Sequence, residues 1–388
     1  GCIISRSDEA KKLGVEMAGP YFKAKPLIEK YNVATFSSNY NLYGNLSWRV
    51  METLRIVMGA ENVEVYSVDE AFLNLDGFAT ENLQQIGINI RETVEQWTGI
   101  KVSVGVAPTK GLSKVANRLA KKHKLATGCV LVLDTREKIN KALQDTPIGE
   151  VWGVGRQYAQ KLMDMNAVFT AFDLTKKTEE WANKNLGGVV GVRLIKELNG
   201  KPANTMKEEL TVKKMITTTR MFGSPVKNIN DIKEAIATYT SRSAEKLRKQ
   251  QSAANIISVF VVPKEQNYNP YFRHEPTISS YVTLPIATSA TNELIKPALK
   301  LIDKLYEHGR LYKKAGVMLS GLVPDANIQG NLFVPNLNND KRMLMSMLDN
   351  VNFAMRDDIV KFAASGIKRD WKTSMNTGIK TIMFINIK

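Results

Sequence analysis

The pattern of hydrophobic and polar residues between positions 63 and 106 predicts a layer of strands and helices. Residues 63–66 and 71–75 are short runs rich in β-branched and aromatic side chains, which is typical of strands. Apolar residues then recur at helical spacing, and Gly99 stands where that helix would end. Alternating valines at 102–106 predict the next strand. We therefore expect a mixed α/β layer with helices on one face.

The segments around this layer are predicted to be mostly helical. Residues 1–40 have the pattern of a small helical piece, and helical periodicity continues over residues 42–58 and 111–122. Residues 135–208 are basic and have few strand signals. We expect a charged linker near residues 207–209 before the next domain.

Residues 212–322 show the same order of elements twice, which predicts a separate domain. Each half of about 50 residues reads as strand, helix and strand, so the two halves form a compact sheet with helices on one face. The predicted elements are strand 215–222, helix 231–250, strand 256–262, strand 280–284, helix 292–308 and strand 315–322. After Pro324 the chain becomes rich in asparagine, and no regular structure is expected there.

Composition adds the class of partner to this picture. The chain has 388 residues, enough for two to four domains, and 44% of them are hydrophobic, so a sizeable core is expected. Its net charge of +16 points to an acidic partner, either a nucleic acid or an anionic membrane surface. The absence of an apolar run of about 20 residues in the sequence favours the nucleic acid. The two cysteines and three histidines are scattered, so we expect no structural zinc and a reduced, cytoplasmic setting.

The most informative pair of residues is Asp69–Glu70, which lies between two predicted strands. Neighbouring side chains on a straight strand point to opposite faces, but at a tight hairpin both carboxylates can converge on one site. Carboxylate oxygens suit Mg²⁺, and two such ions could activate a 3′-hydroxyl and stabilise a leaving pyrophosphate. From spacing alone, a solvated turn is the favoured interpretation of the pair.

Two motifs carry a resemblance to a known family. Residues 66–72, Tyr-Ser-Val-Asp-Glu-Ala-Phe, and residues 104–110, Val-Gly-Val-Ala-Pro-Thr-Lys, resemble the signature of the Y-family DNA polymerases. Residues 35–43 narrow the resemblance, which extends from Gly1 to about Phe333, to the UmuC branch of that family.

The resemblance implies an α+β multidomain fold, the right-hand polymerase. Its parts would be partial fingers (1–40), a palm (41–130), a thumb with a helix-hairpin-helix (131–208), a βαββαβ little finger that binds DNA (212–322), and a C-terminal tail with a clamp-binding-like motif (323–388).

The resemblance also assigns catalytic and nucleotide-binding residues. Asp69 and Glu70 would be the catalytic ligands of Mg²⁺, with two ions in the complete enzyme. Lys121 would contact the triphosphate of the incoming dNTP, although a lysine in a basic run is also an ordinary solvated residue. Ser5 and Lys11 would lie near the same phosphates. Lys11 departs from the arginine of relatives, and Asp8 from their tyrosine, so these two positions could equally be surface helix residues.

Two further sets of residues would bind DNA. Gly153 and Gly155 resemble the thumb hairpin, where free backbone N–H groups at a helix start hold a phosphate without reading sequence; a simple tight turn is the other interpretation. Lys246, Arg248 and Lys249 end a helix of the little finger. They would contact phosphates there, but cations at a helix end also suit its dipole.

A short motif near the end of the matched region resembles a clamp-binding pentapeptide. Gln329, Leu332 and Phe333 would dock on the sliding clamp, with the Leu-Phe pair filling a hydrophobic pocket. Gly330 departs from the usual apolar second residue and would weaken that affinity.

One expected feature has no counterpart in the sequence. The family's catalytic centre needs a third carboxylate, an Asp within an Asp-x-Asn-x-Phe pattern, and no such pattern occurs here. The chain starts with Gly1 rather than Met, so we expect an N-terminally truncated polymerase with little or no activity as it stands. The alternative is a non-catalytic DNA- and clamp-binding remnant. Residues 372–388 match the family poorly and are assigned no role.

The complete protein is expected to be an error-prone translesion DNA polymerase of the SOS response. It would add dNTPs to a primer on damaged template DNA by two-metal phosphoryl transfer. The resemblance implies primer-template DNA, a UmuD-type subunit, RecA and the sliding clamp as partners, no membrane, and a cytoplasmic, nucleoid-associated location.

Overall fold

The chain folds into two compact units, residues Gly1–Glu209 and Leu210–Lys388, which are described separately. The computed structural model describes residues 1–206, 212–264, 277–330, 338–355 and 359–372. Among the described helices, none has the length and apolarity needed to cross a bilayer.

The elements of the first unit alternate short strands with helices. In chain order they are α1 (Asp8–Lys12), α2 (Tyr21–Lys30), α3 (Tyr40–Met58), β1 (Val63–Val65), β2 (Ala71–Leu73), α4 (Leu83–Thr98), β3 (Val104–Val106), α5 (Lys110–Lys122), α6 (Lys124–Thr127), β4 (Val130–Val132), α7 (Arg136–Gln144), α8 (Arg156–Asn166), α9 (Ala171–Thr175), α10 (Glu179–Asn185) and α11 (Val189–Leu198). The predicted helix at the centre of this region is confirmed, because α4 ends at Gly99, whose φ of 71° is left-handed.

The sheet of the first unit is more divided than the sequence predicted. In the described residues, β1 pairs antiparallel with β2, β3 pairs in parallel with β4, and the two pairs form separate sheets. The sequence analysis did not predict β4. Helices α3 and α4 pack on these strands through the buried side chains of Met51, Leu54, Ile90 and Val94.

Helix α5 is held very close to strand β3. A Cβ added to Gly105 would lie 2.1 Å from the backbone nitrogen of Asn117, so only glycine fits at this crossing. The helix starts at Thr109, whose hydroxyl accepts a hydrogen bond from the Leu112 N–H (3.2 Å) and donates one to the Glu197 carbonyl (2.8 Å). The cap therefore fixes the start of α5 against α11, and the helices α7 to α11 complete this core.

The second unit is a four-stranded antiparallel sheet with two helices packed on it. Its elements are β5 (Ile216–Val226), α12 (Ile229–Lys249), β6 (Ser252–Pro263), β7 (Ile278–Thr288), α13 (Thr291–Leu305), β8 (Tyr312–Pro324) and α14 (Asn338–Ala354). The strand order is β5-β8-β6-β7. The predicted βαββαβ order is confirmed, and the strands are longer than predicted. Pro225 and Pro285 lie within β5 and β7, which is possible because both are edge strands.

The prediction that regular structure ends after Pro324 is wrong. Helix α14 follows, and Arg342 on it forms an ion pair with Asp325 (3.2 Å) beside the end of β8. Farther along, Trp371 is only 5% exposed and packs edge-to-face on Phe222 and Tyr239, with ring centroids 6.3 and 5.8 Å away. The sequence pattern could not show this, because a lone tryptophan in a polar segment has no periodicity.

We predict that Trp371→Ala destabilises the second unit by about 3–5 kcal/mol, because it leaves a cavity between α12 and β5. Hydrogen exchange followed by mass spectrometry should show faster exchange at the amides of α12 and β5. Ile367→Ala is the matched control, since Ile367 is 91% exposed and its loss should cost less than about 0.5 kcal/mol. Equal exchange in the two variants would show that Trp371 does not anchor the segment.

Candidate active site

The turn between β1 and β2 presents two carboxylates to solvent. The N–H groups of Tyr66 and Ser67 both donate to the Glu70 carbonyl (3.0 Å each), which closes the chain into a tight turn. The Ser67 hydroxyl donates to Asp69 Oδ1 (2.7 Å) and orients that carboxylate. Asp69 and Glu70 are both exposed. The structure therefore has the hairpin that the sequence predicted, with both acidic side chains at its tip.

A lysine and three aromatic rings surround the base of this turn. Lys114 on α5 forms an ion pair with Glu70, and its ammonium lies 4.8 Å from the ring centroid of Tyr66, 5.7 Å from that of Phe72 and 5.6 Å from that of Trp152. We call these three rings the Lys114 cage. Trp152 Nε1 donates a hydrogen bond to the Tyr66 hydroxyl (3.2 Å), and this bond connects two of the three rings. The acidic turn is thus fixed from below by α5 and by the segment after α7.

A second lysine, one helical turn earlier, has a different partner. Lys110 pairs with Glu64 on β1 and donates to the Thr205 carbonyl (2.8 Å). The side chains of Lys110 and Glu64 are only 10% and 7% exposed, so the pair is inside the protein. It fixes the start of α5 to β1, just behind the acidic turn.

The donor set of the turn fits part of a magnesium site. Mg²⁺ is bound through one or two carboxylates together with water and substrate phosphates, and Asp69 and Glu70 supply two such groups side by side. The described part of the chain brings no cluster of three or more His, Cys, Asp or Glu side chains together. A complete site would therefore need oxygen ligands beyond these two carboxylates.

The residues predicted to bind the nucleotide lie on two neighbouring segments. Lys121 is exposed on α5, seven residues after Lys114, which places both on the same side of the helix two turns apart. Ser5 and Lys11 are exposed before and within α1. Asp8 on α1 accepts a hydrogen bond from Lys124 (2.6 Å), so α1 contacts the chain just after Lys121. That hydrogen bond lowers the pKa of the Asp8 carboxyl below its ordinary value.

The hairpin that contains Gly153 and Gly155 leads into a helix whose first turn is exposed. Gly153 adopts a φ of 91°, which favours glycine, and Gly155 is the N-cap of α8. No side chain caps this helix, and residues 155–158 are exposed, so the first N–H groups of α8 face solvent. Trp152, which completes the Lys114 cage, belongs to the same hairpin.

The three cations that end α12 have unlike surroundings. Arg248 is 12% exposed and makes two hydrogen bonds to Asp349 on α14 (2.7 Å each), and it also donates to the Ser289 carbonyl (2.7 Å). Its guanidinium therefore holds α14 against α12 within the second unit, and it is not available to a phosphate. Lys249 pairs with Glu245 (2.9 Å), and Lys246 is exposed.

Lys246 lies among other positive charges. Partial burial lowers its pKa below the ordinary value, and the neighbouring charges of Lys213, Arg220 and Arg242 lower it further, against the opposing effect of Glu245. A group of like charges is unfavourable unless an anion lies among them. This part of the second unit is therefore a better candidate for a phosphate contact than Arg248 is.

The clamp-binding-like motif is only partly within the described residues. Gln329 is exposed, four residues after Asp325. Leu332 and Phe333 lie outside the described residues.

The sequence predicted the acidic turn but not the lysine and the three aromatic rings that pack beneath it. Tyr66 and Phe72 stood inside the quoted motif, yet nothing in their spacing shows that they enclose Lys114, 48 and 42 residues away. Trp152 is 86 residues from Tyr66. The signal that could have found Lys114 is its place four residues after Lys110, on the same face of α5.

Comparison with known proteins identifies both the fold and the family of this chain. A chimera of the Y-family DNA polymerases Dbh and Dpo4 superimposes with a TM-score of 0.65 over 83% of this chain and 88% of the chimera, at 21% identity. The fold is therefore that of a Y-family DNA polymerase, as the motifs predicted.

Residues 1–118 match the impB/mucB/samB family, and residues 213–332 match the C-terminal domain of that family. The UmuC protein of Salmonella typhimurium strain LT2 is 36% identical over 96% of this chain and 87% of its own length. The MucB protein of Escherichia coli is 35% identical over 95% of this chain and 85% of its own length. A DNA polymerase IV from Desulfatibacillum aliphaticivorans is 27% identical over 90% of this chain and 84% of its own length. The chain belongs to the impB/mucB/samB family.

We predict that Gly153→Ala destabilises the first unit by about 1–2 kcal/mol, because its φ of 91° is unfavourable for alanine. The free energy of unfolding in urea is the measurement. Gly155→Ala is the matched control. Gly155 has a φ of −75°, and an added Cβ meets nothing within 4 Å, so the loss should stay below about 1 kcal/mol. Equal losses would mean that the left-handed turn is not needed.

Proposed function

We propose that this protein is a translesion DNA polymerase, which adds a deoxynucleotide to a primer end opposite a damaged template base. The observation that carries this proposal is the acidic turn, with Asp69 and Glu70 side by side at the tip of a hairpin in a Y-family polymerase fold. Kinship with DNA polymerase IV supports template-directed synthesis as the reaction. The deoxynucleotide and the primer-template are then the substrates.

Asp69 and Glu70 would hold Mg²⁺, with two ions in the complete site. When bound, the ions supply positive charge to the reacting phosphate and to the 3′-oxygen that attacks it. Ser67 keeps the Asp69 carboxylate oriented through its hydrogen bond. Lys121, with Ser5 and Lys11 on the neighbouring segment, would bind the triphosphate as donors and positive charges.

DNA would be held through its phosphates, without reading of sequence. Three features support this: the uncapped start of α8 behind the Gly153 turn, the positive charges around Lys246, and the side of the second unit's sheet that faces away from its core. On that side, two rows of paired residues cross all four strands and contain no charged residue: Thr217, Met318, Ser258 and Tyr281, and Thr219, Gly316, Phe260 and Ser279. Hydroxyl groups in both rows can donate hydrogen bonds to a phosphate backbone.

The protein partners would be a sliding clamp, a UmuD-type subunit and RecA. The pentapeptide that starts at Gln329 supports a sliding clamp, while a UmuD-type subunit and RecA follow from the family resemblance. A cytoplasmic, nucleoid-associated location follows from the DNA substrate.

A second candidate function is that of a non-catalytic DNA- and clamp-binding protein. It is favoured by one observation, that the described residues bring only two carboxylates to the turn. Under this proposal, the protein would bind DNA in a salt-sensitive manner and incorporate no nucleotide at any metal concentration.

We predict that Asp69→Ala lowers the rate of primer extension past an abasic site by roughly 100- to 1,000-fold, because a metal ligand is lost. Single-turnover incorporation of one dNTP is the measurement. Asp76→Ala is the control, since Asp76 is an exposed carboxylate only seven residues away and should leave the rate unchanged. An unchanged rate for Asp69→Ala would refute the catalytic assignment, and the absence of incorporation by the unmodified protein would favour the second candidate.

We predict that Lys246→Met weakens binding to DNA of any sequence and lowers the slope of log affinity against log salt by about 0.9, the value for one lost phosphate contact. Fluorescence anisotropy at several salt concentrations is the measurement. Lys304→Met is the control, because Lys304 is also an exposed lysine in the last turn of a helix but lies on α13. Parallel salt slopes for Lys246→Met and the unmodified protein would contradict this contact.

A further inference from the structure

Lys114 is held in an unusual position for a lysine beside an acidic turn. Its side chain is only 18% exposed, whereas the Glu70 side chain that it meets is 44% exposed. The ammonium of Lys114 therefore lies between the exposed Glu70 carboxylate on one side and the three rings of the Lys114 cage on the other.

The cage is built from three separate parts of the first unit. Tyr66 comes before the turn, Phe72 lies on β2, and Trp152 belongs to the hairpin before α8. Neighbouring ring centroids are 5.4, 5.6 and 5.9 Å apart. Each ring is within 6 Å of the ammonium, the range in which the ring quadrupole attracts a cation. The rings therefore hold the positive charge of Lys114 close to Glu70.

The neighbouring pair of Lys110 and Glu64 is a largely buried ion pair, and its ammonium also lies 4.9 Å from the ring centroid of Phe72. Both of its side chains are at most 10% exposed, and Lys110 has a further acceptor in the Thr205 carbonyl. The Lys114 pair differs because its carboxylate is open to solvent and adjoins Asp69. Lys114 contacts Oε1 of Glu70, which belongs to one of the two carboxylates proposed to hold a divalent cation.

We propose that Lys114 is a built-in counter-ion of the acidic turn, which keeps Glu70 in place through the cage and gives up its carboxylate when a divalent cation binds. This inference rests on the proposed function, because it takes Asp69 and Glu70 as the metal ligands. Lys114 is a positioning residue in this scheme. Its ammonium and the metal ion compete for one carboxylate and repel each other, so Lys114 lowers the metal affinity of the free protein.

The test is titration of the whole chain with Mn²⁺ alone, without DNA or nucleotide. Binding is followed by the paramagnetic broadening of amide signals in residues 66–72. Lys114→Met should bind Mn²⁺ at least about threefold more tightly, because a competing positive charge has been removed. Lys114→Arg keeps the charge and should stay within about twofold of the unmodified protein. Lys122→Met, which removes an exposed charge from the end of the same helix, should also change nothing.

The cage is tested by a double-mutant cycle with Trp152. Trp152→Leu removes one ring and should raise the Mn²⁺ affinity, since Lys114 is then held less firmly at Glu70. In the Lys114→Met background, the same substitution should have no further effect, because both changes act through one ammonium. A role of Trp152 that was only structural would give the same change in both backgrounds.

Two results overturn the inference in distinguishable ways. If Mn²⁺ does not broaden residues 66–72, or if Asp69→Ala leaves the broadening unchanged, the metal-ligand assignment fails and the inference fails with it. If Asp69→Ala abolishes the broadening while Lys114→Met binds Mn²⁺ no more tightly than the unmodified protein, only the counter-ion inference fails. Circular dichroism of each variant shows that the fold is intact.

Discussion

The unit that carries the acidic turn depends on how closely α5 approaches β3. The absence of a side chain at Gly105 lets the helix backbone lie against the strand, and the cap at Thr109 sets where the helix begins. Because α5 is rigid, these two contacts decide where its lysines point. Lys110 reaches back to a buried glutamate, Lys114 meets the acidic turn, and Lys121 lies two turns farther along. The packing of α5 thus sets the positions of three lysines, and one of them, Lys114, pairs with Glu70 of the acidic turn.

The basic residues at the end of α12 differ in their surroundings, although composition counts them alike. Arg248 and Lys246 are two residues apart on α12, yet the first has its guanidinium enclosed by α14 and the second faces solvent among other cations. Helical geometry explains the difference, since residues two apart point about 200° away from each other. The basic residues at the end of α12 therefore include Arg248, which stabilises the fold, and Lys246, which is a candidate phosphate contact.

The parts of the structure that sequence could predict are those with a strong local signal. The αL glycine after α4, the alternating valines that lead into β3, and the repeated order of elements in the second unit all arise from periodicity or turn chemistry. The cage around Lys114 and the burial of Trp371 arise from contacts across tens of residues, for which one sequence holds no periodic trace. The acidic turn was intermediate: its spacing allowed two interpretations, and the surrounding motif decided between them.

The ion pair of Arg342 and Asp325 has a consequence for the segment that carries the clamp-like motif. The two residues are joined at 3.2 Å, and Gln329 lies between them in the chain, as do the motif's Leu332 and Phe333. The two residues that flank this stretch of chain, Asp325 and Arg342, are therefore attached to each other. A peptide tethered at two points has fewer conformations than a free tail of equal length, so less entropy is lost when a partner immobilises it. For the proposed clamp contact, tethering of this kind would offset part of the affinity that Gly330 is expected to cost.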